Sequence, residues 1–156
     1  MEFVTITPDD YDAFHALLTA YYREGEDADT PTEIIDSFIR SLFAQLTCGE
    51  LFGCFARLGE QHVGFALWAK DTRDFVYTQM PGLGTILEIG LIPSCRGMGQ
   101  GRLLAAHIET CLRFLGVPQA YVCAYGPAQV FWKSCGYIEN GKIADNGLPL
   151  MVKDLA

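Results

Sequence analysis

The densest chemical signal in the chain is the segment Glu88-Ile89-Gly90-Leu91-Ile92-Pro93-Ser94-Cys95-Arg96-Gly97-Met98-Gly99-Gln100-Gly101-Arg102-Leu103-Leu104. A strand-like run enters a turn with glycines at 97, 99 and 101, and the turn opens a helix. Glycine lets a backbone approach a bulky ligand with no β-carbon in the way. A helix start adds unpaired amide donors and the positive end of the helix dipole. Flanked by Arg96 and Arg102, such a backbone suits a phosphate or pyrophosphate. Two nucleotide fingerprints fail on spacing. Counting from Gly97, the last glycine of G-x-G-x-x-G falls on Arg102, and no Gly-Lys-Ser/Thr tripeptide of a Walker A loop occurs. The bland alternative is a glycine-rich corner that only makes a tight turn.

Glu88 is the second candidate. It is the one carboxylate of its strand, among Ile86, Leu87, Ile89 and Leu91, and such neighbours raise a carboxyl pKa toward the range of a general base. The alternative is an acid paired with an arginine of a neighbouring strand, or one facing solvent. Other residues promise less. His107 falls on an apolar helix face and reads as a core histidine, while His62 follows a turn and is expected to be exposed. Cys123 and Cys135 have no histidine partner in sequence and read as small apolar fillers. The acidic stretch Glu24–Asp29 reads as a solvated loop.

The elements that must position these residues follow from periodicity. A short strand, Glu2 to Ile6, precedes a helix start with Thr7 as N-cap and Pro8 in the first position. Tyr11, Phe14, Leu17, Leu18, Tyr21 and Tyr22 give that helix one apolar face. A second helix opens on Thr30-Pro31-Thr32-Glu33, read as a capping box, with Ile34, Ile35, Phe38, Ile39, Leu42, Phe43 and Leu46 as its apolar face. Leu51 to Arg57 and His62 to Lys70 form a hairpin, and 71–84 is a connection with few clear signals. Thr85 to Ile92 is a strand, and the helix from Gly99 ends near Leu115 at Gly116-Val117-Pro118. A strand Ala120 to Ala124, a short helix from Pro127 to Gly136, and strands Tyr137 to Lys142 and Leu148 to Leu155 complete the chain. The strand-helix-strand unit implies parallel neighbours and the hairpins antiparallel ones. The expectation is an α/β (α+β) fold with a mixed sheet of about seven strands and about four helices, in one domain over 1–156.

Composition narrows the class. With 156 residues, half of them hydrophobic, the chain can fill one core. A net charge of −8 and no Lys/Arg run exclude a phosphate-backbone track, so no nucleic-acid partner is expected. No window is long and apolar enough for a membrane span, and Met1-Glu2-Phe3 lacks a basic flank or signal-type stretch. A cytoplasmic protein without a membrane partner is expected. The six cysteines are irregularly spaced with no C-x-x-C pair, which favours free thiols. The three histidines fall in no ligand pattern with them, so no metal is expected.

The sequence resembles the GNAT superfamily of acyl-CoA-dependent N-acetyltransferases over essentially its whole length. The family's signature Q/R-x-x-G-x-G/A, between a strand and a helix, reads here Arg96-Gly97-Met98-Gly99-Gln100-Gly101, followed by Arg102-Leu103-Leu104. The downstream aromatic helix closing in Gly-aromatic reads Ala128-Gln129-Val130-Phe131-Trp132-Lys133-Ser134-Cys135-Gly136-Tyr137. The resemblance implies a splayed sheet that takes acetyl-CoA as cosubstrate. Its pyrophosphate would lie on Gly97–Leu103, and its pantetheine against the backbone near Ile89 and Leu91. A donor about Leu91 would serve the thioester carbonyl. Trp132 stands where the family carries a tyrosine acid, and an indole N–H is no acid in the useful pH range. Tyr125 stands where many members carry Asn; it either replaces the missing phenol or packs on pantetheine. The acceptor implied is a small-molecule or peptide amine attacking directly, and the acidic loop would suit a cationic one. A monomer or homodimer is expected. Rival readings are a non-catalytic acyl-CoA binding or sensing module, and a nucleotide-binding interaction domain.

Overall fold

A computed structural model describes residues 1–25 and 27–156. The elements are β1 (Glu2–Thr5), α1 (Tyr11–Glu24), α2 (Thr32–Thr47), β2 (Phe52–Leu58), β3 (Gln61–Lys70), β4 (Gly84–Leu91), α3 (Gln100–Phe114), β5 (Gln119–Cys123), α4 (Gly126–Ser134), β6 (Ile138–Ile143) and β7 (Pro149–Asp154). The strands form one open sheet in the order β1-β2-β3-β4-β5-β7-β6. The sheet is mixed. β4 pairs β5 in parallel at Gly84↔Ala120 and Thr85↔Tyr121, whereas β1–β2, β5–β7 and β6–β7 are antiparallel. The parallel pair is the one joined through α3, as a crossover connection requires.

Contacts divide the chain into two units, residues 1–67 with 88–104, and residues 68–87 with 105–156. In the first, α1 buries Phe14, Leu18 and Tyr22, and α2 buries Ile35, Ile39 and Leu42, over Phe55, Val63, Phe65 and Leu67 of the sheet. Burying each such large side chain is worth roughly 1.5–3 kcal/mol. Ile34, expected on the buried face of α2, is 59% exposed, because only the 35/39/42 stripe meets the core. Thr30 does not cap α2. Pro31 holds the N-cap position, and the Thr30 hydroxyl instead donates to Asp27 Oδ1 at 3.2 Å. A cap does form at the earlier start, where Asp10 Oδ2 accepts from the Thr7 amide at 2.7 Å and from its hydroxyl at 2.9 Å. His62 is half-buried rather than exposed, its ring stacked on Phe55 at 4.0 Å.

In the second unit, Ala105, Ile108 and Leu112 of α3 are buried, as are Tyr121, Val122, Trp132, Tyr137, Leu150 and Met151. Two buried carboxylates brace it. Glu109 takes both oxygens to Lys153 Nζ, at 2.9 and 2.8 Å. Asp71 Oδ2 accepts from the Gln79 amide at 2.9 Å, the Met80 amide at 2.8 Å and the Tyr121 hydroxyl at 2.6 Å, which folds the 71–84 connection around one side chain. His107 is half-buried with its ring edge toward Trp68 at 6.4 Å, and burial lowers its pKa, as a core histidine requires. No disulfide joins any of the six cysteines.

Candidate active site

Strand alternation sends Glu88 and Gly90 to one face of β4, the face on which α1 lies. Gly90 is what allows that approach. A β-carbon there would meet Phe65 Cε1 at 2.7 Å and Tyr21 Cδ2 at 2.7 Å, so only glycine lets α1 seat on the strand. Tyr21 and Phe65 then meet edge to face at 5.2 Å. A small cleft results, lined by Leu17, Ala20, Tyr21 and Glu24 of α1 and by Gly90, Leu91 and Ile92.

Two positions back along β4, Glu88 is densely surrounded by protein, yet its side chain keeps some accessible surface. Its Oε1 accepts a hydrogen bond of 3.2 Å from the Tyr22 hydroxyl. Burial pushes the Glu88 carboxyl up to about 7, the Tyr22 bond pulls it down in part, and the charge of Asp27 raises it again. A carboxylate of that pKa exchanges protons near neutrality. Tyr22 is 7% exposed, and burial first and the Glu88 charge second hold its phenol far above the ordinary range. It therefore stays a donor.

Beyond Leu91 the chain makes a 3-10 turn, Pro93–Cys95, and then the glycine-rich loop. Gly97 and Gly99 both sit at φ 79°, a left-handed conformation that a β-carbon makes costly. A β-carbon at either would project into open space, so the loop's outer surface is bare backbone. The first intrahelical bond of α3 runs from the Leu103 amide to the Gly99 carbonyl at 3.3 Å, leaving the preceding amides of Gln100, Gly101 and Arg102 without helical acceptors. Met98, Leu103 and Arg102 are exposed around this surface. A glycine cradle at a helix N-terminus fits an anionic cosubstrate such as the pyrophosphate of CoA. Arg96 is differently employed. Its Nε donates to the Leu91 carbonyl at 2.9 Å and its Nη2 to Glu24 Oε2 at 2.6 Å, tying the loop to the end of α1.

The structure thus brings Glu88, Ile89, Leu91, Arg96 and the loop 97–103 into one unit. Tyr125 and Trp132 belong to the other. Tyr125 is the N-cap residue of α4 and is 40% exposed. Trp132 is 5% exposed, its ring against Phe131 and Tyr137 at 5.0 Å each, so most of its surface is already occupied. Burial chiefly, then the charges of Asp145 and Asp71, push the Cys123 thiol up to about 11, which suits an inert filler. Sequence reasoning missed two residues that contact the candidate site residues, Tyr22 on Glu88 and Glu24 on Arg96. Tyr22 had counted only as part of an apolar face, and Glu24 only as the edge of a solvated loop. Of that loop, Glu26 lies outside the described residues. Among the described residues, no cluster of three or more His, Cys, Asp or Glu could hold a metal, and no helix is long and apolar enough to cross a membrane.

A strand that carries a carboxylate of raised pKa and runs through a bare glycine loop into a helix is an arrangement that an acyl-CoA cosubstrate would fit. The sequence model of the acetyltransferase (GNAT) family matches residues 11–137, and the chain belongs to that family. Among curated proteins no sequence match is found. Solved structures agree on the fold. A putative GNAT-family acetyltransferase from Desulfovibrio desulfuricans superposes with a TM-score of 0.76 at 15% identity, covering 99% of each chain. The PaiA N-acetyltransferase from Thermoplasma acidophilum, solved in complex with coenzyme A, gives 0.73 at 13% identity over 98% of each. A chimera of the spermidine N-acetyltransferase SpeG from Vibrio cholerae and hSSAT gives 0.69 at 14% identity, over 99% of this chain and 97% of that one. Family membership implies acyl-CoA-dependent acetyl transfer.

Proposed function

We propose that this chain, acting as one domain over 1–156, is an N-acetyltransferase that moves the acetyl group of acetyl-CoA directly onto an amine, with Glu88 as the base. The observation that carries this reading is the state of Glu88: a surrounded carboxylate with one 3.2 Å partner and a pKa of about 7, on the strand that feeds the glycine loop. An amine attacks only when neutral, and Glu88 takes its proton. The nitrogen lone pair forms the new N–C bond, the C–S bond breaks, and the thiolate leaves with the electron pair. Bound acetyl-CoA supplies the electrophilic carbonyl. In this reading a backbone N–H about Leu91 donates to the charge developing on the acyl oxygen. The amides of 97–103 with Arg102 hold the pyrophosphate, since Arg96 is engaged by Glu24 and Leu91. Ile89 and Leu91 run along the pantetheine, and Tyr125 protonates the thiolate or packs beside it.

The acceptor class is a small-molecule or peptide amine, and the charge of −8 steers a cationic one favourably. A monomer or homodimer in the cytoplasm completes the reading. Glu88→Gln is expected to lower kcat at neutral pH by roughly 10²–10⁴-fold and to remove the acidic limb of the pH–rate profile. An unaltered profile would transfer the role to water or to the acceptor. The burial of Trp132 keeps a second reading in view, a non-catalytic acyl-CoA sensor, because the family's phenol is absent there. Thiol release from acetyl-CoA across an amine panel separates the two.

A further inference from the structure

We propose that Tyr22 is a positioning residue for Glu88: its phenol holds Oε1 of the carboxylate and leaves Oε2 to take the acceptor's proton. The inference rests on Glu88 being the base. Tyr22 lies on the buried face of α1, its ring between Tyr21 at 5.5 Å and Phe38 at 5.7 Å. A phenylalanine would fill that space equally well and would not need a partner. A buried hydroxyl does need one, and among the described residues the Tyr22 hydroxyl bonds Glu88 alone.

The helix end that carries Tyr22 is itself held in place by the next two residues. Arg23 donates to the carbonyls of Asp27, Ala28 and Thr30 and to the Thr32 hydroxyl, closing the turn into α2. Glu24 binds Arg96 of the glycine loop. Tyr22, Arg23 and Glu24 point outward about 100° apart, as successive helical residues do, so one helical turn reaches the carboxylate, the acidic loop and the cosubstrate loop. The exposed Glu24–Arg96 pair adds little stability; what it supplies is geometry. Among the described residues, the titratable groups that act on Glu88 are Tyr22 from α1, which favours its charged form, and Asp27 from the following loop, which opposes it.

The test is Tyr22→Phe, followed by pH–rate profiles and a ¹³C-carboxyl titration of Glu88. Without the donor, the charged carboxylate loses support and its pKa rises. The acidic limb of kcat/KM should move up by roughly one pH unit, the scale of one hydrogen bond to a charged group. Activity should fall several-fold at pH 7, recover by about pH 9, and leave CoA affinity unchanged. The same upward shift should appear in the ¹³C titration, which needs no turnover. Fluorotyrosine at position 22, a stronger donor of nearly the same shape, should move both downward. A loss of activity equal at every pH, with the Glu88 titration unmoved, overturns the proposal and makes Tyr22 a packing residue. An acidic limb that survives Glu88→Gln removes the base itself and this proposal with it. A limb lost in Glu88→Gln yet unmoved in Tyr22→Phe rejects the role of Tyr22 alone.

Discussion

Glu88 and Asp71 are carboxylates shielded from water in different units of the molecule, and they are treated in opposite ways. Asp71 is fully buried, and burial alone would raise its pKa; the Thr78 side chain first, then the Tyr121 hydroxyl and the Gln79 and Met80 amides, hold it below the ordinary range. Glu88 has a single longer bond from Tyr22, so burial prevails and its pKa climbs to about 7. Glu109, by contrast with Glu88, has both oxygens in contact with Lys153 Nζ. Asp71 takes three donors on Oδ2, although its Oδ1 has no hydrogen-bond partner among the described residues, and the crowding of donors on one oxygen organises the backbone around it. A carboxylate left with one donor costs stability and can exchange a proton.

The sharpest way to break this comparison is to remove the carboxylate with the most donors, Asp71. Asp71→Ala leaves three donors without their acceptor and should cost about 3–5 kcal/mol in chemical denaturation. Because the folded pKa of Asp71 is lowered, its contribution is present above the ordinary carboxylate range and is lost as pH falls through the folded value. The acid sensitivity of folding should therefore be weaker in the variant. Wild-type stability at pH 7 within 1 kcal/mol would show the network to be dispensable.

Glu88 should behave with the opposite sign. Its folded pKa lies above its ordinary value of 4.5, so stability is fullest below that value and is lost as pH rises toward about 7. Glu88→Gln keeps the donor contact and removes this decline, leaving a variant up to about 3 kcal/mol more stable at pH 8 although its catalysis is impaired. Equal pH dependence of Tm in the two proteins would mean that the carboxylate is not held against its charge. The smallest effect concerns Asp27, whose charge raises the Glu88 pKa. Asp27→Asn should lower the acidic limb by roughly a few tenths of a pH unit, and added salt should shrink the difference. A shift upward would contradict the assignment of Asp27 as a neighbour of like charge.

Local physics made part of this legible from residue order. Gly97 and Gly99 declare a loop that needs left-handed backbone, and Pro93 before them ends a strand, so a bare backbone loop at a helix start could be read directly. Glu88 among Ile86, Leu87 and Ile89 already implied a carboxyl short of solvent. Element order followed from apolar period, while burial was misjudged where one helical stripe out of several possible ones meets the core, as at Ile34.

The rest depended on which distant groups meet. Nothing near Tyr22 in the chain distinguishes a core ring from the donor to a carboxylate 66 positions later. Arg96 read as a free cation for phosphate until the fold supplied Glu24, 72 positions away, and the Leu91 carbonyl. Asp71 lay in a connection without a pattern, because its partners are two loop amides and a hydroxyl on β5. Periodicity and propensity act over a few residues and determine which backbone is bare and which face is apolar. Whether a buried charge is satisfied is a property of the packed neighbourhood, and only the tertiary structure decided it.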